Sequence, residues 1–146
     1  MDRYNDFDNL INDPEDLKVF RQCLRDNNLK ALIEFYFLCR SLHQYSNQDT
    51  IKILVKAIFS RYINRTKNIV YSSLPNNIRE TLNENHRRIR NPQGNEELSN
   101  EFYLNVFNDA KSHIYDKLGG NIYTNFLSER YMYQNKYVNY HLLLFV

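Results

Sequence analysis

Four histidines and two cysteines are the first side chains to consider as metal ligands or nucleophiles, beside the 17 acidic residues that could complete a metal site. The histidines are His43, His86, His113 and His141. Zinc sites pair such residues at short spacings, as in H-x-x-H, H-E-x-x-H or C-x-x-C. No histidine here has a partner at such a spacing. The sequence therefore predicts no metal site.

The two cysteines, Cys23 and Cys39, both fall within apolar helical patterns. A reactive thiolate needs an exposed, electropositive setting instead. We therefore expect two buried free thiols in a reducing compartment, the cytoplasm. Gly119-Gly120 ends a helical pattern and does not open one, so it is not a phosphate-binding loop. The sequence predicts neither a cofactor nor an active site of its own.

Residues 86–90, His-Arg-Arg-Ile-Arg, form the most basic run of the chain and could contact phosphates. However, no aromatic residue is interleaved with the arginines, and Glu96-Glu97 follows them. The 19 basic and 17 acidic residues leave a net charge of only +2. Nucleic-acid-binding domains usually carry a larger and more clustered excess. The run is interpreted as the solvated tip of a loop, without a nucleic-acid partner.

Residues 28–42 must form the central element, because two apolar stripes run along them at helical spacing. One stripe contains Leu29, Leu32, Ile33 and Tyr36, and the other contains Phe35, Leu38, Cys39 and Leu42. A surface helix needs only one stripe, so this helix should be covered on more than one side. It is too short and too closely flanked by charge to insert into a membrane.

Other helices should surround the central one. Asp13 and Pro14 are typical of an N-cap and a first helical position. Residues 51–63 have the clearest apolar stripe, which contains Ile51, Leu54, Val55, Ile58, Tyr62 and Ile63. Residues 83–100 lose the apolar period and are expected to form a long loop. A further helix is expected over residues 102–118. A last helix should begin at Asn121. Its inward face is expected to contain Tyr123, Phe126, Leu127, Arg130 and Tyr131.

The composition agrees with an all-α fold of about eight or nine helices. Hydrophobic residues make up 42% of the 146 residues, whereas glycine and proline number three each, which leaves little of the chain for tight turns. This length predicts one domain over residues 1–146. Its core should cover about residues 7–135, with the 83–100 loop inside it. An apolar tail at 136–146 could be a docked terminal segment or the edge of a fragment cut from a longer protein.

Four segments, in order, resemble the helices of regulator of G-protein signalling (RGS) domains, an all-α fold. Residues 32–39, Leu-Ile-Glu-Phe-Tyr-Phe-Leu-Cys, are similar to the family's L-x-F-W-x-x-C segment, with tyrosine in place of tryptophan. Residues 56–63 look like its next helix, and residues 107–114 like its F-x-x-A-x-x-x-I helix. Residues 123–131 are similar to Y-x-x-F-L-x-S-x-x-Y but one residue short. The details resemble the axin-type members most.

In members that accelerate GTP hydrolysis, the resemblance implies that an asparagine, an acid and an arginine hold the switch loops of a Gα subunit. The matching positions are Leu32 and Val70 for two asparagines, Asn121 for the acid and Asn125 for the arginine. A leucine cannot orient a polar switch residue, and a neutral amide cannot replace a guanidinium. GTPase-activating function is therefore disfavoured, and a Gα subunit is an unlikely partner.

Axin-type domains are non-enzymatic, and the resemblance implies a scaffold of the Wnt signalling pathway. It would bind the Ser-Ala-Met-Pro repeats of the adenomatous polyposis coli protein in the β-catenin destruction complex. A peptide groove needs apolar area with a polar rim. The candidate groove residues are Arg21, Arg25, Lys30, Phe37, Arg40, Lys52 and Lys56. The alternatives are a GTPase-activating domain for a Gα subunit and an RGS-like domain of a sorting nexin or kinase-anchoring protein.

Overall fold

The computed structural model describes residues 3–64, 67–94 and 96–130. Every regular element within these ranges is helical, which confirms the all-α prediction. The predicted tail at 136–146 and the predicted inward residue Tyr131 lie outside the described residues.

The helices follow one another with short connections. In chain order they are α1 (Arg3–Asn12), α2 (Pro14–Asp26), α3 (Lys30–Ser41), α4 (Gln48–Ile58), α5 (Ile69–Ser73), α6 (Asn76–Arg90), α7 (Asn100–Asn105) and α8 (Asn108–Lys117). A last helix, α9, is described over residues 123–130. A 3₁₀ turn, Leu42–Gln44, follows α3, and wide π-type turns, Phe59–Ile63 and Leu118–Ile122, follow α4 and α8.

Contacts divide the chain into two compact units. The terminal unit consists of Met1–Lys30 and Asp116–Val146, and the central unit is Ala31–Tyr115.

The terminal unit is held together by a row of aromatic rings. Phe7 lies 5.9 Å from Phe20 and 5.4 Å from Tyr123, and Phe20 lies 5.0 Å from Phe126, measured between ring centroids. All four side chains are buried, so this row supplies much of the unit's apolar burial. At its edge Arg130 donates to the Asp16 carboxylate at 2.6 Å and ties α9 to α2.

The central unit has its own aromatic core. Phe35 of α3 lies edge-on to Tyr62, and Phe107 contacts both Phe35 and Phe59. Both predicted stripes of α3 contain buried residues. These are Leu32 and Ile33 in one stripe and Phe35, Cys39 and Leu42 in the other. The prediction that this helix is covered on more than one side is confirmed.

Helix α2 ends in a left-handed residue. Asn28 has a φ of 59°, its backbone N–H donates to the Arg25 carbonyl at 3.1 Å, and the Leu29 N–H donates to the Leu24 carbonyl at 2.7 Å. This is the Schellman arrangement, in which the left-handed position is usually glycine and sometimes asparagine. It ends α2 and satisfies two of the last carbonyls of that helix.

Replacing Asn28 with alanine should lower the free energy of unfolding by about 1 kcal/mol, because a Cβ without a local hydrogen-bonding group disfavours this conformation. Asn28→Gly should leave stability unchanged or raise it slightly, since glycine adopts positive φ at no steric cost. Urea denaturation of both variants would measure the difference. Equal losses for alanine and glycine would contradict this explanation.

The structure corrects the predicted 83–100 loop over its first half. Helix α6 continues to Arg90 and buries Leu82, His86 and Ile89 on one face. The prediction was wrong for residues 83–90 because it treated His86 as a polar surface residue, whereas its ring fills an apolar position. Residues 91–94 and 96–99 are not helical.

Two smaller predictions were also wrong. The single helix expected over 102–118 is divided into α7 and α8, and the Asn108 amide donates to the Asn105 side-chain oxygen at 2.9 Å across the break. Leu127, expected on the inward face of the last helix, is 46% exposed. Its neighbours Tyr123 and Phe126 are buried as predicted.

Candidate partner-binding surfaces

A basic cavity of about 500 Å³ lies along α2 in the terminal unit. Its lining is Pro14, Leu17, Lys18, Arg21, Gln22 and Arg25. These residues recur at helical spacing, so one face of α2 supplies them all. Asp13 fixes where that helix begins, because its carboxylate accepts from the N–H groups of Glu15 and Asp16 at 3.0 and 3.2 Å. The result is a surface with three cations over an apolar base.

Of the predicted groove residues, this cavity brings together Arg21 and Arg25. The prediction missed Lys18, although its spacing, three residues before Arg21 and seven before Arg25, could have revealed it. Lys30, at the beginning of α3, is exposed and is not part of the lining.

The other predicted groove residues belong to the central unit. Arg40 and Lys56 are exposed, and Phe37 is half-buried with its ring 5.5 Å from that of Tyr36. Lys52 holds its ammonium 5.6 Å from the centroid of the Tyr103 ring, so part of its charge is already used in a cation–π contact.

Of the four positions that match the Gα contacts of the resembled family, two hold apolar side chains that are buried. Leu32 and Val70 are each 0% exposed in the central unit. The Val70 N–H donates to the Asn68 side chain at 2.8 Å, which begins α5. Neither side chain can reach a partner unless the surrounding helices move.

The other two matching positions, Asn121 and Asn125, are exposed in the terminal unit. Asn125 borders a small cavity of about 110 Å³, whose lining also includes Leu24, Leu29 and Glu129. An amide in this place offers neither the charge nor the planar fork of an arginine.

Two residues that the sequence did not indicate hold the C-terminal end of α5. The Arg79 guanidinium donates to the carbonyls of Tyr71 at 3.0 Å and Ser72 at 2.7 Å, and a His113 ring nitrogen lies 3.1 Å from the Ser73 carbonyl oxygen. The three last carbonyls of this short helix therefore have side-chain partners. Because these partners are seven or more residues away in sequence, no local pattern identifies them.

The predicted basic tip is not a free cluster. Arg87 forms a two-pronged ion pair with Glu84. Arg88 pairs with Glu96 and places its guanidinium 5.0 Å from the Phe102 ring centroid. These contacts give the arginines a structural role on the surface of α6.

His86 is 7% exposed and its ring stacks on that of Phe59, with centroids 4.5 Å apart and planes within 5°. Burial, with a smaller contribution from Arg90, lowers the pKa of His86 below its usual value. The neutral imidazole is thus the form that fits this core.

Stability should fall on acidification because of His86. The unfolded chain takes up the imidazole proton at about pH 6.5, whereas the folded chain resists it until its lowered pKa is reached. The contribution of neutral His86 to the free energy of unfolding is therefore complete above the unfolded pKa of about 6.5 and is lost as the pH falls from there through the lower, folded pKa. Thermal unfolding between pH 7.5 and 5 would measure it, and His86→Gln should show a smaller decrease. An equal decrease in both proteins would contradict this.

Two further buried groups have raised pKa values. Burial raises the pKa of the Cys39 thiol, and Cys23 is buried too, so both cysteines are the free, buried thiols that the sequence predicted. Burial also raises the pKa of Tyr62, whose hydroxyl donates to Glu34 at 3.4 Å beside Arg61. These groups are uncharged at neutral pH and stabilise the core.

Within the described ranges, no three metal-ligating side chains come together. No helix in the same ranges combines the length and apolar character needed to cross a membrane.

The family described as the regulator of G protein signaling domain matches residues 6–135 of this chain. Comparison with curated proteins found no match.

Proposed function

Because the chain belongs to the regulator of G protein signaling family, we propose that it is a non-enzymatic docking domain of an axin-like scaffold. In this proposal it is a single cytoplasmic domain of the Wnt pathway. It binds the Ser-Ala-Met-Pro repeats of the adenomatous polyposis coli protein within the β-catenin destruction complex.

The observation that carries the proposal is the basic cavity on α2. The cavity is lined by Lys18, Arg21 and Arg25 together with the apolar side chains of Leu17 and Pro14. The apolar residues of a short peptide have a contact available there, and an acidic residue beside them would be attracted by the cations. The other predicted groove residues, Lys30, Arg40, Lys52, Lys56 and Phe37, do not line this cavity, and their part in peptide binding stays a prediction.

The burial of Leu32 and Val70 weighs against the alternative, a GTPase-activating domain for a Gα subunit. Each charge-assisted hydrogen bond missing at the matching positions would forfeit about 1.5–3 kcal/mol of affinity. Several such losses together exceed the binding free energy that a transient complex can lose and still form.

Two assays on the full chain test the proposal. Titration with a labelled Ser-Ala-Met-Pro repeat peptide should give saturable binding, and single-turnover GTP hydrolysis by a Gα subunit should be unchanged when the domain is added. A flat titration together with accelerated hydrolysis would establish the alternative instead.

Charge reversal locates the site. The double variant Lys18→Glu, Arg25→Glu should weaken peptide binding by about a hundredfold, at about tenfold for each attraction that becomes repulsion. Lys67→Glu makes the same type of change at an exposed position outside the cavity and should bind normally. If all of these proteins bind equally, the α2 cavity is not the peptide site.

A further inference from the structure

The central unit contains a second cavity, of about 390 Å³, with a different chemistry. Helix α6 contributes Asn85 to its lining, and the α7–α8 region contributes Asn105 and Asn108. Phe102 and Val106 supply its apolar part. We call this cavity the carboxamide groove. Its volume lies within the range of ligand pockets.

The carboxamides suit a polypeptide backbone. An asparagine side chain has one acceptor oxygen and two donor hydrogens, which match the N–H and C=O of an extended chain. Asn108 donates to the Asn105 oxygen, so the two amides hold each other in place. This bond uses neither the Asn105 amide hydrogens nor the Asn108 oxygen, and both residues line the groove that Asn85 borders from α6. Backbone recognition of this kind requires no particular side chain in the ligand.

The charge of the carboxamide groove determines which side chains a bound peptide should carry. Glu101 and Asp109 border it with exposed carboxylates, and none of the described residues in its lining is basic. Each acid lies in the first turn of its helix, where it also stabilises the helix N-terminus. Because both carboxylates border the same cavity, a cation placed between them gains from both. The sign is opposite to that of the α2 cavity, so an acidic peptide should avoid it.

We propose that the carboxamide groove binds an extended, basic peptide segment of a second partner, with asparagine amides on its backbone and an arginine or lysine between Glu101 and Asp109. Phe102 lines the groove, and the part of its half-buried ring that the Arg88 guanidinium does not cover offers a surface for the aliphatic stem of that side chain. The chain would then carry two docking sites of opposite charge. This site is independent of the function proposed above.

The test uses the full chain and a fluorescein-labelled peptide that alternates alanine and arginine. Fluorescence anisotropy should give saturable binding, and NMR should show shifts of the Asn85 and Asn105 side-chain amides. The double variant Glu101→Gln, Asp109→Asn should weaken binding at least about tenfold. Asp49→Asn is the matched control, since Asp49 lies in the first turn of α4 outside the groove, and it should bind normally.

A second peptide, N-methylated at alternate residues, separates backbone recognition from simple charge attraction. It keeps every arginine but loses backbone donors, so it should bind at least about tenfold more weakly. Equal binding of the two peptides would overturn the proposal, as would equal binding by the Glu101→Gln, Asp109→Asn protein. A third peptide, which alternates alanine and glutamate, should not bind, and its binding with similar affinity would also overturn the proposal.

Discussion

Phe35→Ala should lower the free energy of unfolding by about 3–5 kcal/mol. Phe35 is 0% exposed, and its ring lies 5.6 Å from Tyr62 and 6.0 Å from Phe107, both edge-on. Truncation removes the transfer free energy of the ring and both aromatic contacts, and it leaves a cavity between helices that collapse only partially. The total free energy of unfolding of natural domains is about 5–15 kcal/mol, so the variant should be close to the limit of folding.

Phe37→Ala is the matched control for this prediction. It makes the same change two residues later on α3, at a half-buried side chain, so the change in helix propensity is the same. Its loss of unfolding free energy should be well under half that of Phe35→Ala. Urea denaturation followed by circular dichroism would compare them. Similar midpoints for the two variants would show that Phe35 is not the centre of this core.

The aromatic core also shows what periodicity can and cannot predict. The apolar stripe of residues 51–63 correctly predicted that Ile51, Val55 and Ile58 are buried. It did not include Phe59, which is 0% exposed, although this residue lies four positions after Val55 and eight after Ile51 and so falls on the same helical face. The same stripe predicted Tyr62 and Ile63, and both are buried in the π-type turn Phe59–Ile63. It also predicted Leu54, which is only half-buried, so a constant period identifies the buried face but not how deeply each side chain on it is buried.

His86 illustrates a different limit. Its ring stacks on Phe59, which lies 27 residues earlier in the sequence. An imidazole can fill an apolar position when a flat partner covers its face, but nothing near His86 in the sequence indicates such a partner. For this reason the last two turns of α6 resembled a charged loop.

The two candidate sites also differ in how far the sequence can predict them. The basic face of α2 comes from one helix, so Arg21 and Arg25 could be identified from their spacing alone. The carboxamide groove combines Asn85 with Asn105 and Asn108 from beyond the next connection. Isolated asparagines carry no sequence signal for binding, so only the packing of α6 against the α7–α8 region reveals this site.

A backbone position gives the second large effect. Gly119→Ala should lower the free energy of unfolding by about 1–3 kcal/mol, although a glycine-to-alanine change within a helical segment ordinarily raises it. An added Cβ would lie 2.9 Å from Cδ1 and 3.3 Å from Cγ of Phe7. Phe7 is 1% exposed and packs between Phe20 and Tyr123. The ring therefore has little room to move, and the clash must displace α1 or the turn itself.

A double-mutant cycle with Phe7→Leu tests whether this clash is the cause. Leucine is smaller than the ring, so Phe7→Leu alone should destabilise the protein by leaving a cavity, whereas in the Gly119→Ala background the added methyl occupies part of that space. The double variant should thus lose less free energy of unfolding than the sum of the single variants, by about 0.5–3 kcal/mol. Thermal unfolding of the four proteins measures this coupling. Strict additivity would mean that Gly119 is required for its backbone conformation and not for its contact with Phe7.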